Sequence, residues 1–517
     1  MTGVSPLVRT LLIYGICLPL AVFLGYLLAN PVDYTTLSIF GLVVFILLTP
    51  LLLRWHHLLV IVFWNTTVVF FFLPGRPPFW LLLSGLSLAI SIFQYLLNRK
   101  FKFISVPSVG RSLIFLTAVV LVTAKLTGGI GLNVFGSDVE GGKRYIYIFG
   151  AVAGYFAMTR RAIPRGRESF YVGLFFLASV ATAIGELAPY VGSAFYPIFW
   201  FFPTTTDAIH AVTSITDSSS FYRWGTLGTS CYAAFCFMLC RYGIQGIFSW
   251  RHTGRLLILL AIAAAGLLGG FRTILILYLL TFVALFYLEG MFRSRLLPSF
   301  ILMSVLGCSL LVAYVDRLPL TIQRSLSVLP LNVDPVAKSA AQDTTDWRIQ
   351  MWKDVLPEIP PHLLLGKGLG ISAAEMAKTL STAGFDAAPE GSVLAGDYHN
   401  GPLSVIIPFG IFGVIGFLWF VAASLRVLYR NCQFGDPNNI RSNRLILAYF
   451  VAKLILFFFV FGGFYSDFAV FTGLVGLSIS LNGGVAKRVR APAPAPRSRI
   501  ALVPSRLRPA LQRPAGA

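Results

Sequence analysis

The chain has 517 residues, of which 56% are hydrophobic and only 12% are charged. Soluble domains carry roughly 25% charged residues, so this composition excludes an ordinary soluble protein and indicates many membrane spans. The formal net charge of +21 would suggest a nucleic-acid partner in a soluble protein. Here most basic residues lie in short loops and in the C-terminal tail, so membrane topology explains them better and no nucleic-acid partner is predicted.

Apolar runs of about 20 residues, the length that crosses a bilayer, recur along the chain. An aromatic run at 190–203 is expected to be re-entrant or interfacial. The predicted fold class is an all-α integral membrane protein, a multispan helical bundle of about 12–14 transmembrane helices. The predicted spans are 7–29, 35–53, 57–74, 78–98, 112–132, 144–159, 169–188, 227–243, 255–270, 273–290, 298–316, 402–424, 445–463 and 467–483.

Successive loops alternate between many and few Lys and Arg residues. Because cytoplasmic loops carry the excess of these residues, both termini are predicted to be cytoplasmic and the long polar loop to lie outside. The basic, proline-rich tail is predicted to be disordered and to contact anionic membrane lipids. The predicted organisation is transmembrane helices 1–11 over 1–316, a long outer loop with short helices over 317–401, C-terminal spans over 402–484 and the tail over 485–517.

The chain holds six cysteines and six histidines. No two histidines have metal-site spacing on one predicted helix, and Cys236 and Cys240 lack nearby His or Asp partners. These patterns favour packing roles for the cysteines, and they predict neither a metal site nor a cofactor.

Arg272 is the first candidate for chemistry. It stands between two apolar runs in the sequence Leu-Leu-Gly-Gly-Phe-Arg-Thr. Residues 255–290 are too long for one span and fit a tight helical hairpin whose tip lies at the outer face. An arginine at that tip is costly unless it meets a counter-charge, so it either snorkels to the interface or binds an anion.

The long outer loop carries a second arginine. Residues 344–346 are good N-caps and Pro357 is a stop signal, which predicts a short amphipathic helix between them. Arg348 lies one turn from Trp352 on this helix, beside Trp347. The helix is expected to lie at the membrane surface with its tryptophans in the headgroup layer. Arg348 would then contact a headgroup, pair with a nearby aspartate or bind a substrate.

Two further motifs follow in the outer loop. Gly366–Gly370 reads Gly-Lys-Gly-Leu-Gly before a possible helix over 371–380, and such turns can present backbone N–H groups to phosphate. The turn lacks the Ser/Thr of a nucleotide-binding loop, which excludes that function. Asn400 is a good N-cap for the next span. His399 is not needed for that role, so it is either a helix-boundary residue or a general base.

In this order the motifs resemble the O-antigen ligase and O-antigen polymerase superfamily of bacterial envelope glycan enzymes. The motifs that carry the resemblance are the arginine at a hairpin tip, Trp-Arg-x-x-x-Trp, Pro-His-x-x-x-Gly-x-Gly-x-Gly, and His-Asn before a span. They cover roughly residues 220–425. The Arg-Trp-Gly-Thr around Arg223 is similar to that family's entry to a span, without the Pro-Asn that often follows.

The resemblance implies a metal-independent membrane glycosyltransferase of the GT-C type at the periplasmic face of the bacterial inner membrane. The implied donor is a glycan on undecaprenyl diphosphate, and the acceptor is a glycan, a lipid or a protein. Arg272 and Arg348 would bind the diphosphate, and His399 would deprotonate an acceptor hydroxyl that attacks with inversion. The implied substrate-binding residues are Arg223, Trp347, Trp352, Lys367, Gly368, Gly370 and Asn400.

Two alternatives remain open at this point. A ligase would attach the glycan to lipid or protein, whereas a polymerase would extend it on its carrier, and the sequence does not separate them. A transporter or flippase of lipid-linked saccharides would also explain many spans and arginines. It predicts discontinuous helices and charged residues through the middle of the membrane, whereas the polar groups here gather at one face, which favours an enzyme.

Overall fold

In the computed structural model the chain is described at residues 6–29, 34–71, 73, 75–99, 103–128, 139–203, 223–372 and 396–488. These residues are almost entirely helical. Two short strands, β1 Val139–Glu140 and β2 Ile371–Ser372, pair antiparallel. The α-helices are α1 Pro6–Ala29, α2 Tyr34–Phe63, α3 Phe79–Leu97, α4 Pro107–Leu126, α5 Gly142–Met158, α6 Glu168–Leu177, α7 Ala183–Val191, α8 Gly225–Ile247, α9 Thr253–Leu267, α10 Arg272–Leu288, α11 Leu297–Tyr314, α12 Leu320–Leu326, α13 Pro335–Val355, α14 Ile359–His362, α15 Gly401–Phe434, α16 Ile440–Phe459 and α17 Phe464–Asn482.

Eight helical stretches among the described residues are long and apolar enough to cross a membrane. The predicted fold class, a multispan helical membrane protein, is confirmed, while the number of helices that cross stays a prediction. The shorter apolar helices α9 and α10 are additional to the eight. The eight are Ile46–Phe63, Phe79–Leu97, Pro107–Leu126, Glu168–Val191, Leu297–Arg317, Gly401–Phe434, Pro437–Phe459 and Phe464–Asn482.

The centre of the bundle is α17. Its span is 78% buried inside the protein, against 11% for the span that contains α11. α17 packs against α5, α15 and α16. α17 is therefore the most deeply packed of the candidate spans among the described residues.

Most predicted spans coincide with helices, but the division between 35–53 and 57–74 is wrong. The chain forms one 30-residue helix, α2, and continues without helical structure after Phe63. The two histidines at this division each make a polar contact inside the bundle. His56 Nδ1 lies 2.8 Å from Ser87 Oγ, and His57 Nε2 lies 2.9 Å from the carbonyl oxygen of Met158.

The helix that carries Arg348 begins earlier than predicted. Asp334 caps α13, because its carboxylate accepts a hydrogen bond from the backbone N–H of Val336, and Pro335 occupies the first turn. The predicted start at 344–346 is therefore wrong by about two and a half turns, at 3.6 residues per turn. The C-terminal half of α13 contributes Met351 and Val355 to a small separate core, which Tyr398, Leu403 and Ile407 complete.

α15 is broken near its outer end. Gly410 has φ 60° and ψ −162°, which interrupts the helix. The segment 363–368 fills the break: Ile411 N–H donates to Leu363 O at 2.7 Å, and Gly368 N–H donates to Pro408 O at 3.0 Å. Backbone groups freed by the break are thus paired within the protein, as membrane depth demands.

Candidate functional site

Four segments meet at one end of the bundle. They are the turn between α9 and α10, the middle of α13, the segment before α15 and residues 460–463 between α16 and α17. Arg272, Arg348 and His399 each lie on one of the first three, and Phe461 lies on the fourth. We call Arg272, Arg348, His399 and Phe461 the outer cluster.

Arg272 lies at the tip of the predicted hairpin, which α9 and α10 form. Its Nη2 donates to the carbonyl oxygen of Ala341 at 2.8 Å and to Thr345 Oγ1 at 2.9 Å. The guanidinium therefore fastens the hairpin tip to α13. As the first residue of α10, Arg272 places a cation at a helix N-terminus, where the helix dipole disfavours it. The folding of α10 alone gives no reason for a cation there.

Arg348 lies on the same face of α13 as the partner of Arg272, because it follows Thr345 by three residues. Its guanidinium carbon lies 5.2 Å from the centre of the Phe461 ring, within the range of a cation–π contact. Its Nε is buried and has no hydrogen-bond partner among the described residues. Burial lowers the pKa of Arg348, the nearby charge of Arg272 lowers it further, and Asp397 opposes both effects.

The two arginines thus form a positive site that its surroundings do not neutralise. No salt bridge joins either of them to a carboxylate in the part of the chain that the structure describes. Two guanidinium groups held together at the end of a membrane bundle are costly without a counter-charge. Guanidinium groups bind phosphate through paired hydrogen bonds, so a phosphate or diphosphate is the anion that suits this site.

His399 lies beside the arginines in an unusual backbone conformation. Its φ of 49° falls in the left-handed region, which costs a residue with a side chain roughly 1–2 kcal/mol. Its ring lies against Trp347 and Phe461, with ring centres 5.2 Å and 5.0 Å away. Strain of this kind persists where surrounding contacts hold it, and it is concentrated at functional sites.

The electrostatic surroundings of His399 favour its neutral form. Nδ1 lies 3.4 Å from Asp397 Oδ1, although the two groups are not aligned as a hydrogen bond. Burial lowers the pKa of His399 below its ordinary value of 6.5, and Arg348 lowers it further, while Asp397 raises it. The net lowering leaves the imidazole free to accept a proton near neutral pH.

The two tryptophans and Asn400 hold this arrangement. Trp352 Nε1 donates to the carbonyl oxygen of Tyr398 at 2.8 Å, which ties α13 to the segment before His399. Trp347 lies against the His399 ring, and its Nε1 is buried without a partner among the described residues. Asn400 caps α15 by accepting from the N–H of Leu403 at 3.1 Å.

The glycine-rich turn plays a different part. The backbone N–H groups of Lys367, Gly368 and Leu369 donate to Ile407 O, Pro408 O and the Tyr145 hydroxyl. None of these three groups is left for a phosphate. The side chain of Lys367 pairs with Glu358 at 3.2 Å. This geometry gives no support to Lys367 and Gly368 as substrate-binding residues, and the role of Gly370 stays a prediction.

Of the helix predicted over 371–380, residues 371–372 form β2 and the remainder lies outside the described residues. Arg223 lies beside the hairpin tip, where its guanidinium carbon is 5.9 Å from the centre of the Phe271 ring. It therefore borders the outer cluster through the residue that precedes Arg272.

Among the described residues, no group of three or more His, Cys, Asp or Glu side chains is arranged to hold a metal ion. The positive charge at this end of the bundle comes from arginines.

Residues 255–418 match the family model described as O-antigen ligase. This part of the chain is similar to the O-antigen ligase family. It contains Arg272, Arg348, His399, the glycine turn and the broken α15, so the family predicted from the motifs is confirmed over the region that builds most of the site. No curated protein matches the chain. The match supports a membrane glycan enzyme of the O-antigen ligase or polymerase type.

Two residues of the site, Asp397 and Phe461, are not part of the motifs that resemble the O-antigen ligase family. Asp397 stands two residues before His399, and its spacing could have identified it as a partner of the imidazole. Phe461 lies beyond the end of the matched region and joins His399 to Arg348. Nothing in its local sequence distinguishes it from the chain's many other phenylalanines, since only the folded packing of α16 and α17 places it there.

Proposed function

We propose that this protein transfers a glycan from undecaprenyl diphosphate to an acceptor hydroxyl at the periplasmic face of the bacterial inner membrane, without a metal ion. The observation that carries the proposal is that Arg348 and His399 both lie against one ring, Phe461, while Arg272 is bonded to Thr345, one turn from Arg348. That arrangement pairs an anion site with a base, which inverting transfer from a diphosphate requires.

In the proposed reaction the acceptor oxygen forms a bond to the anomeric carbon of the donor sugar. The bond between that carbon and the diphosphate oxygen breaks, and the diphosphate leaves with the electron pair. The acceptor proton passes to the neutral ring of His399. Because negative charge grows on the leaving diphosphate, Arg272 and Arg348 stabilise the transition state more than the bound donor.

Asp397 and the two aromatic rings have supporting roles in this reaction. Asp397 favours the protonated ring that forms when His399 accepts the proton. Trp347 and Phe461 fix the plane of the imidazole. A base held in one orientation within reach of the proton typically increases the reaction rate by about 10²–10⁴-fold.

The break in α15 bears on the alternative function, because discontinuous helices are also expected in a transporter or flippase. In transporters, the freed carbonyl groups of such helices face a cavity and bind the substrate. Here the Pro408 carbonyl accepts from Gly368 N–H, so the break is occupied by the protein's own chain. This supports an enzyme over a transporter or flippase.

Transfer in detergent micelles tests the proposal. Purified full-length protein is mixed with extracted undecaprenyl-diphosphate glycan and with candidate acceptors, in the presence and absence of EDTA. We expect transfer in both conditions, since micelles offer no second compartment for translocation. Absence of transfer to every acceptor, the carrier-linked glycan included, would contradict the proposal. Loss with EDTA and recovery with Mg²⁺ or Mn²⁺ would contradict metal independence.

The same assay separates a ligase from a polymerase. A ligase product carries the glycan on added lipid or protein, whereas a polymerase product is a longer glycan that remains on undecaprenyl diphosphate. The proposed periplasmic position of 317–401 and the cytoplasmic termini need a second measurement. A reporter active only in the periplasm, fused after Leu380, should be active, and a cytoplasmic signal would overturn the orientation of the site.

A further inference from the structure

A cavity of about 550 Å³ lies against the outer cluster and extends into the bundle. Phe461 and Thr273 line it, so it begins beside the ring that contacts His399 and beside the neighbour of Arg272. Its volume is in the range of small-molecule binding sites, roughly 300–1,000 Å³. Its wall is formed by residues 64–67, which follow α2, and by residues of α3, α5, α6, α8, α10, α16 and α17.

An ion pair lies in the wall of this cavity. Lys453 Nζ lies 2.8 Å from Asp467 Oδ1, and the side chains are only 17% and 8% exposed. The other carboxylate oxygen of Asp467 accepts from Gly463 N–H at 3.0 Å. An ammonium group has three donors, and Asp467 is the one partner that the described residues provide for Lys453. The remaining donors are available to a molecule in the cavity.

The ion pair is not explained by stability. A buried ion pair is often no more stabilising than apolar residues of similar size, and charged residues within spans usually mark a functional site. An isoprenoid chain would gain nothing from an ammonium group. A ligand whose oxygen atoms accept hydrogen bonds would be bound by the ammonium group of Lys453.

The rest of the lining also suits a sugar. Thr66, Thr229 and Ser466 each donate their hydroxyl hydrogen to a backbone carbonyl, at 2.9, 2.9 and 3.0 Å. Their oxygen atoms remain acceptors for the hydroxyl groups of a sugar. Aromatic rings form much of the remaining wall and offer flat faces to the C–H faces of a pyranose; they are Trp64, Trp80, Tyr147, Tyr232, Tyr449 and Phe461.

We infer that this cavity is a sugar subsite, which receives the first sugar units of the donor glycan and binds one of their oxygen atoms through Lys453. The inference rests on the proposed function. A donor diphosphate at Arg272 and Arg348 carries the glycan on one side and the isoprenoid on the other. The acceptor, deprotonated by His399, attacks on the glycan side. The cavity adjoins His399 through Phe461, so it lies where the glycan must be.

Binding of two separate fragments of the donor tests the inference on full-length protein in detergent. One probe is the oligosaccharide released by mild acid from the cells' own lipid-linked glycan, which has neither diphosphate nor isoprenoid. The other is farnesyl diphosphate, which has no sugar. Trp64 and Trp80 line the cavity, so tryptophan fluorescence reports its occupancy.

Lys453→Met should weaken oligosaccharide binding by about tenfold or more, the usual value of a hydrogen bond to a charged group, and leave farnesyl diphosphate binding within about twofold. Ala233→Phe, which fills the cavity without touching the ion pair, should have the same selectivity. Arg272→Gln is the matched control: it removes the charge of the guanidinium group and should weaken farnesyl diphosphate binding instead. Lys453→Met leaves the buried carboxylate of Asp467 without its partner, which destabilises the fold. The double variant Lys453→Met/Asp467→Asn removes both charges and so separates a loss of binding from misfolding. Gel filtration checks every preparation.

Three results would overturn the inference. The first is that the parent protein shows no saturable binding of the oligosaccharide. The second is that oligosaccharide binding is unchanged in Lys453→Met, in the double variant and in Ala233→Phe. The third is that these variants selectively lose farnesyl diphosphate binding, which would make the cavity an isoprenoid site. None of these readouts needs turnover. A parent protein that binds both probes but transfers nothing would contradict the proposed function while leaving the subsite standing.

Discussion

The sequence predicts two groups of binding residues, the arginines and histidine of the outer cluster and the turn at Gly366–Gly370, and the structure gives them different surroundings. The outer cluster has two like charges close together, a strained histidine, and buried nitrogen atoms that find no partner among the residues described. In the turn at Gly366–Gly370, the N–H groups of Lys367 and Gly368 are paired with α15, and that of Leu369 is paired with Tyr145. Polar groups that a fold leaves unsatisfied are available to a ligand, whereas satisfied groups serve packing. The contrast favours the cluster over the turn as the site of the proposed chemistry.

The largest effect is expected at His399. His399→Ala should reduce the transfer rate by about 10²–10⁴-fold, because a positioned general base is lost, and should leave donor binding nearly intact. His362→Ala, in the Pro-His motif before the glycine turn, is the matched control and should transfer at close to the parental rate. Parental transfer by His399→Ala would reduce His399 to a helix-boundary residue, with Asp397 or Asp467 the next candidates for the base.

The arginines should show the next largest effect. Arg272→Lys and Arg348→Lys keep the charge and lose the planar fork, so each should retain donor binding and lose about 10²–10³-fold in turnover, the usual cost of removing a group that stabilises developing charge. Arg317→Lys, at an exposed position before α12, should change neither. If the lysine variants turn over at the parental rate, charge alone suffices and the paired hydrogen bonds are unnecessary.

The glycine turn should respond in stability and not in chemistry. A Cβ at Gly366 would lie 2.2 Å from Pro408 O, and φ there is +79°. Gly366→Ala should therefore cost about 1–3 kcal/mol, as overpacking usually does, and lower the melting temperature. Gly75→Ala is a control with a similar φ of +74° and open space around it. A turnover defect per folded molecule in Gly366→Ala, with an unchanged melting temperature, would give the turn a catalytic part.

The smallest effect is a shift in pH dependence. Transfer should fall as pH decreases through the pKa of His399, which lies below 6.5 because burial and Arg348 disfavour the charged ring. Asp397 raises that pKa, so Asp397→Asn should move the inflection of the pH–rate profile to lower pH. An inflection that stays in place, or moves upward, would show that Asp397 does not act on the titrating group.

Much of the fold follows from hydrophobic run length, since the arginine hairpin and the start of α15 at Asn400 lie where the sequence predicts them. Where prediction failed, a tertiary contact decided the outcome. α2 continues through Arg54 and two histidines because the rings find partners on α3 and α5. α13 starts at an Asp-Pro cap, a local signal that the more obvious Thr-Thr-Asp concealed. Lys453 could not be assigned from sequence, because its partner lies on the next helix.

The most direct test of the contrast compares Arg348→Lys with Gly366→Ala on matched preparations, measuring the melting temperature and the transfer rate per folded molecule. The account predicts a near-parental melting temperature and low turnover for Arg348→Lys, with a lowered melting temperature and near-parental turnover for Gly366→Ala. The reverse pattern, with Arg348→Lys unstable but fully active and Gly366→Ala stable but inactive, would contradict it.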